Sequence, residues 1–60
     1  MAYTEVLLPA RELRVGDLYG GDEVIEIVPD ELFIVFYTKG KPYPQGYNAD
    51  FQIYFERKTK

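Results

Sequence analysis

Three reactive residue types are missing from this sixty-residue chain, which contains no cysteine, no histidine and no serine. Without cysteine there is no disulfide and no thiolate metal site. Without histidine the commonest nitrogen ligand and the usual general base are gone. Threonine, tyrosine and lysine remain as nucleophiles, and none sits beside a plausible base in the sequence. We therefore predict that the protein is not an enzyme and holds neither a metal nor a cofactor.

Long apolar runs are missing as well. No run approaches the ~20 residues of a membrane span, and the N-terminus lacks the basic region, apolar core and small-residue cleavage site of a signal peptide. The net charge of −3 argues against a surface that attracts nucleic acid over its whole area. These features predict a soluble, cytoplasmic protein that contacts no membrane and processes no small-molecule substrate.

Basic residues are absent from the middle of the chain, where residues 15–38 contain six acidic residues and no lysine or arginine. The basic residues lie on both sides of that stretch: Arg11, Arg14, Lys39, Lys41, Arg57, Lys58 and Lys60. Asp17, Asp22 and Glu23 flank a glycine turn, but their spacing fits no calcium-binding loop. We assign them to turn formation and solvation, with Asp17 placed to bond nearby backbone N–H groups.

Strand-forming residues, in contrast, are abundant, since 47% of the chain is hydrophobic and 17% aromatic. Alternation and turn signals predict strands at residues 3–8, 17–19, 23–28, 32–37 and 49–57. Residues 10–14 favour helix but have room for about one turn, and Gly20-Gly21 predicts a turn at positive φ. Residues 1–60 should therefore form one all-β domain, a small five-stranded, strongly bent SH3-like barrel.

The strands at 23–28 and 32–37 form the clearest hairpin. With its turn centred on residues 30 and 31, Val28 lies opposite Phe33 and Ile27 opposite Ile34. One face of the hairpin is then core, while the other is too apolar to stand in water. Either the wrapped strands of a barrel or a second copy of the chain must cover it. The candidate self-association face consists of Val24, Val28, Phe33 and Val35.

Tyrosines and cations alternate around residues 39–48, which hold two prolines and two glycines and predict a surface loop. The candidate partner-binding residues are Tyr37, Lys39, Lys41, Tyr43, Tyr47, Tyr54 and Arg57. Three interpretations stay open: a protein-binding hot spot, a groove for single-stranded nucleic acid, and tyrosines that only pack on the core. The acidic net charge favours a protein partner over nucleic acid.

The strings PARELRVGDL (residues 9–18) and GGDEVIEI (residues 20–27), with a terminal β-run that ends in charged residues, support a resemblance. The chain resembles the small single-domain SH3-like β-barrel accessory proteins of actinobacteriophages, mycobacteriophages especially. That resemblance implies an SH3-like fold and a place inside an infected bacterium, but no activity.

We expect a non-enzymatic interaction module that binds a host or phage protein through its aromatic surface or an edge strand, with self-association as a related expectation. The alternative is a small nucleic-acid-binding barrel that uses the Tyr/Lys-rich loop at residues 37–47 and the basic C-terminus.

Overall fold

Short strands and tight turns make up nearly all of residues 2–59, the part of the chain that a computed structural model describes. The strands are β1 (Ala2–Pro9), β2 (Leu18–Tyr19), β3 (Asp22–Pro29), β4 (Phe33–Thr38), β5 (Gln45–Asn48) and β6 (Gln52–Thr59). A single 3-10 turn, η1, covers Ala10–Glu12. The predicted all-β class and the helical turn within residues 10–14 are confirmed. None of the described residues forms a helix with the length and apolarity that crossing a membrane requires.

All six strands belong to one antiparallel sheet in the order β1-β6-β2-β3-β4-β5. β1 and β6 pair along their whole length, from Ala2 opposite Thr59 to Pro9 opposite Gln52. The end strands β1 and β5 do not pair with each other within residues 2–59, so the sheet is open. The prediction of a five-stranded barrel is corrected in both respects: there are six strands, and the barrel is not closed.

The additional strand is β5, which lies in the segment predicted as a loop. Its four residues pair with β4, with Tyr47 opposite Ile34 and Gln45 opposite Phe36. The prolines at positions 42 and 44 precede this pairing and interrupt none of its hydrogen bonds, although they dominate the composition of the segment. Short strands of this kind depend on a neighbouring strand more than on their own sequence.

The β3–β4 hairpin pairs in a different register from the predicted one. Val28 lies opposite Val35 and Ile27 opposite Phe36. The Asp30 N–H donates to the Phe33 carbonyl at 2.8 Å, which centres the turn one residue later than expected. The predicted register is therefore wrong by two residues, an even shift that keeps the predicted faces over most of the hairpin.

A β-bulge between Val24 and Glu26 changes the face of the residues before it. Val24 turns inward and is completely buried, while Ile25 becomes half exposed. Val24 is therefore wrongly placed on the predicted self-association face. Val28 and Phe33 remain exposed there and Val35 is half-buried, and the self-association itself stays a prediction.

The core takes side chains from both halves of the sheet. Its seven buried apolar members are Ala10, Leu13, Val24, Ile34, Phe36, Ile53 and Phe55. Because Phe36 on β4 and Phe55 on β6 share one core, the β1–β6–β2 half must fold over the β3–β4–β5 half. The predicted strong bend is thus confirmed, and it brings β5 and β6 close enough to shape a common surface.

Candidate functional site: an aromatic cleft beside β6

Aromatic side chains from four segments pack in a row that runs from the core to the surface. The ring of buried Phe36 lies 5.2 Å from Tyr19 in an edge-to-face arrangement and 6.2 Å from Tyr47 in a stacked one. Tyr47 in turn stacks on Phe51 with centroids 5.8 Å apart. Such pairs add stability beyond area burial. Phe51 is 57% exposed, so its ring lies at the surface end of the row, where stacking on Tyr47 holds it in place.

Burial changes the acidity of Tyr19 within this row. Desolvation, together with the hydrogen bond between the Tyr19 and Tyr47 hydroxyls and the electrostatic interaction with Tyr47, raises the pKa of Tyr19 to about 12. The shift extends the range over which the phenol stays neutral and hydrogen-bonded to Tyr47 into alkaline pH. The row presents rings and hydroxyls and no charge of its own.

An open cleft of about 700 Å³ lies beside the exposed end of this row. It exists because β2 is only two residues long and pairs with β6 at a single position, Leu18 opposite Glu56. Over residues 52–55, β6 has β1 on one side and no paired strand on the other within the described chain. The cleft therefore runs along an incompletely paired strand edge.

Two glycines form the facing wall of the cleft. Gly20 and Gly21 have φ values of +61° and +87° and connect the paired residues Tyr19 and Asp22. Positive φ at both central positions is what a two-residue type I′ hairpin turn requires. This confirms the turn predicted at Gly20-Gly21. Without side chains at these positions, the wall leaves the cleft open.

The charge of the cleft comes from two glutamates. Glu5 on β1 lies directly opposite Glu56 on β6, and both line the cleft, whose lining includes no lysine or arginine. The ion pairs among residues 2–59 involve Arg11, Lys41 and Arg57, with aspartate partners in each case. Neither glutamate has a basic partner within that range. The cleft is thus aromatic and acidic.

A second polar cluster, the Asp17–Arg57 anchor, lies on the inward-facing side of β6. The carboxylate of Asp17 accepts hydrogen bonds from Nε and Nη2 of Arg57 at 3.2 and 2.9 Å, and from the Arg14 backbone N–H at 2.8 Å. Nη2 of Arg57 also donates to the Glu12 carbonyl at 2.6 Å. The Asp17 hydrogen bond is the main cause of the raised pKa of Arg57. The predicted backbone bonding by Asp17 is confirmed, and the cluster joins the η1 segment to the last strand.

The seven predicted partner-binding residues lie in three places. Tyr47 and Tyr54 line the cleft, and Arg57 belongs to the anchor. The other four lie on β4 or in the loop that follows it: Tyr37, Lys39, Lys41 and Tyr43. The structure therefore does not bring the predicted cluster together as one surface.

Basic residues form a smaller hollow, of about 300 Å³, away from the cleft. Its lining includes Arg14, Arg57 and Lys58, with Asp17 between them. In the loop after β4, Nζ of Lys41 lies 3.4 Å from a carboxylate oxygen of Asp22. Lys41 and Arg57, two cations of the predicted partner-binding set, are thus paired with aspartates within the chain.

Sequence reasoning missed most side chains of the cleft, among them Glu5, Tyr19, Phe51 and Glu56. The alternation of β6 does show that Tyr54 and Glu56 share a face. Placing Glu5 beside them requires the pairing of β1 with β6, which joins the two ends of the chain. Phe51 precedes Ile53 by two residues and Phe55 by four, but those two are buried, whereas Phe51 lies before the strand and is exposed.

No protein-family model, curated protein or solved structure matches the chain. The resemblance to actinobacteriophage proteins therefore stays a prediction.

Proposed function

We propose that the chain is a non-enzymatic interaction module that binds a partner protein in the aromatic cleft. The observation that carries this proposal is the combination of exposed aromatic rings with an incompletely paired strand edge. Phe51 and Tyr54 are both more than half exposed at the cleft, and residues 52–55 of β6 have no second strand neighbour within residues 2–59. Rigid aromatic side chains are frequent energetic centres of protein interfaces.

An extended peptide matches this combination. The backbone along residues 52–55 offers hydrogen-bonding groups to an added strand, and alternate side chains of that strand would contact the rings. A cleft of about 700 Å³ accommodates several side chains of a peptide. The partner segment is therefore a short stretch of extended chain.

The host or phage origin of the partner and a bacterial cytoplasmic location also belong to the proposal. They are supported by the sequence resemblance to actinobacteriophage accessory proteins, and the binding chemistry of the cleft does not depend on them.

Nucleic acid is the alternative ligand, and the charges of the described residues argue against it. The cleft lining contains two carboxylates and no cation, which repels phosphate. Arg57 and Lys41 already have aspartate partners. A nucleic-acid ligand would have to use Lys39 and Tyr43 in the loop, or the small hollow that contains Arg14 and Lys58.

Selection of a random-peptide display library tests the proposal. Wild-type protein should enrich peptides that no longer bind after Tyr54→Ala but still bind after Tyr43→Ala. Tyr43 is the matched control because it is similarly exposed and lies outside the cleft lining. Enrichment of no peptide, or equal losses in both variants, would overturn the proposal. Binding of labelled single-stranded DNA at low salt, lost after Lys39→Ala and kept after Tyr54→Ala, would support the nucleic-acid alternative instead.

A further inference from the structure

The like-charged pair at the cleft points to the chemistry of the partner. Glu5 and Glu56 are direct cross-strand neighbours, an arrangement that destabilises a sheet when both side chains are charged. No basic side chain of residues 2–59 forms an ion pair with either of them. Lys58 follows on the same face of β6, but it lies opposite Tyr3 and outside the cleft lining. A positive charge from a partner would relieve this repulsion.

Aromatic rings adjoin the two carboxylates. Tyr54 precedes Glu56 by two residues on β6, so their side chains leave the same face of the strand. Tyr54 is 62% exposed, which leaves its ring accessible. A cation placed over an aromatic ring is attracted by the negative face of the ring, and a neighbouring carboxylate adds a charge-assisted hydrogen bond. The cleft thus presents both elements of a site for an ammonium or guanidinium group.

On the opposite face of β6, an aromatic ring, a carboxylate and a cation already occur together. The Arg57 guanidinium carbon lies 5.3 Å from the centre of the Phe55 ring, and the guanidinium is held by the Asp17 carboxylate. Tyr54 and Glu56 each lie one residue before Phe55 and Arg57, and they have the same two-residue spacing of a ring and a charged group. Their charged group is a carboxylate, whereas that of Arg57 is a cation. The missing component on the cleft side is a basic side chain.

We propose that the cleft recognises a lysine or arginine side chain in an extended segment of its partner, seated between the Tyr54 ring and the carboxylates of Glu5 and Glu56. This inference rests on the proposed function, and it names the partner as a basic peptide. The main chain of that segment lies along residues 52–55 of β6. Charge complementarity selects this occupant, because the lining has two acids and no base.

Four defined peptides test the inference. Each is an acetylated seven-residue chain of alternating threonine and valine with lysine, arginine, glutamine or glutamate at its centre. Titration into ¹⁵N-labelled protein, followed by amide chemical shifts, detects binding down to millimolar affinity. The lysine and arginine peptides should shift the amides of residues 52–56 and of Gly20 and Gly21. They should bind at least about tenfold more tightly than the glutamine peptide, a difference of about 1.4 kcal/mol, and the glutamate peptide should not bind.

The double variant Glu5→Gln/Glu56→Gln should reduce binding of the lysine peptide by at least about tenfold. Because the double substitution removes a repulsion, it should not destabilise the fold. Amide chemical shifts outside the cleft should match those of the wild type and so verify that the variant is folded. Glu31→Gln, in an exposed turn away from the cleft, is the matched control and should bind as the wild type does.

Equal binding of the lysine and glutamine peptides, or full binding by the double variant, would overturn the inference. Absence of shifts with every peptide would also overturn it. The proposed function has its own outcome: display selection that enriches cleft-dependent peptides without lysine or arginine would retain the interaction module and reject the basic partner. A selection that enriches nothing would reject both.

Discussion

The Asp17–Arg57 anchor and the Glu5–Glu56 pair of the cleft lie on opposite faces of β6, and their charged side chains have opposite surroundings. In the anchor, the buried Asp17 carboxylate accepts three hydrogen bonds and Arg57 is held by Asp17 and by the Glu12 carbonyl. In the cleft, Glu56 faces another carboxylate. Because successive side chains of a strand point to opposite faces, adjacent residues 56 and 57 serve different surfaces.

This difference separates residues that hold the fold from residues available to a partner. A charged group whose hydrogen-bonding capacity is filled within the chain contributes to stability and has little left for a ligand. A charged group beside its own kind costs stability and gains from binding. The anchor should therefore be sensitive in unfolding experiments, and the cleft should be sensitive in binding experiments.

The largest effect on stability should come from Asp17→Ala. The substitution leaves the half-buried Arg57 guanidinium and the Arg14 N–H without their acceptor, at a cost of about 1–3 kcal/mol. Domains of this size have a core worth roughly 3–5 kcal/mol, so a substantial fraction of the variant should be unfolded in water. Urea denaturation followed by circular dichroism measures the change.

Asp50→Ala is the control for this experiment. Asp50 also pairs with an arginine, Arg11, but both side chains are more than half exposed, and exposed pairs contribute about 0–1 kcal/mol. A comparable loss of stability in both variants would show that burial does not determine how much the Asp17–Arg57 anchor contributes to the free energy of unfolding.

A smaller effect, confined to alkaline pH, should come from Tyr19 in the floor of the cleft. Its pKa is raised from 10.0 to about 12, so folding favours the neutral phenol. This contribution to the free energy of unfolding is complete below pH 10 and is lost as the pH rises towards about 12. Denaturation across this range should show a steeper decline for wild type than for Tyr19→Phe.

Tyr43→Phe serves as the comparison, because Tyr43 is exposed in the loop. Its alkaline decline should match that of the wild type. If Tyr19→Phe also keeps the wild-type slope, burial of the Tyr19 hydroxyl is not what links stability to pH here.

The smallest change in stability, and one of opposite sign, should follow Glu5→Lys. The substitution converts the like-charged pair with Glu56 into an oppositely charged one, which should raise the free energy of unfolding by about 0.5 kcal/mol at low salt. The same variant should lose binding of the lysine peptide, because its own lysine now occupies the carboxylate. A decrease in stability would contradict the assigned repulsion, and high salt should diminish the gain.

Local features of the fold were predictable because they depend on neighbouring residues. Pro9 and Gly16 confine the helical turn, Gly20-Gly21 forms a hairpin turn through positive φ, and Ile53 and Phe55 alternate into the core. The β5 strand was not predictable, since two prolines and two glycines among residues 39–48 predict a loop and only pairing with β4 makes residues 45–48 a strand. The bulge that buries Val24 likewise follows from how β3 meets β4.

The candidate site shows the same division. Tyr47 and Tyr54 were predicted as candidates from their residue type, and they line the cleft. Their separation from Arg57 was not predictable, because residue type does not show which face of a strand a side chain occupies. Lys41 was grouped with them and instead lies beside Asp22.

The sequence by itself determined the all-β class, the glycine turn at residues 20 and 21, and the absence of cysteine and histidine chemistry. Each of these follows from backbone preferences or from residue types within a few positions. Only the tertiary structure decided that Glu5 meets Glu56, that Arg57 is held by Asp17, and that β2 stops short enough to leave a cleft beside β6. These are contacts between residues as far apart in the sequence as Glu5 and Glu56, and they form only when the packing of the whole bent sheet selects one strand order and one register.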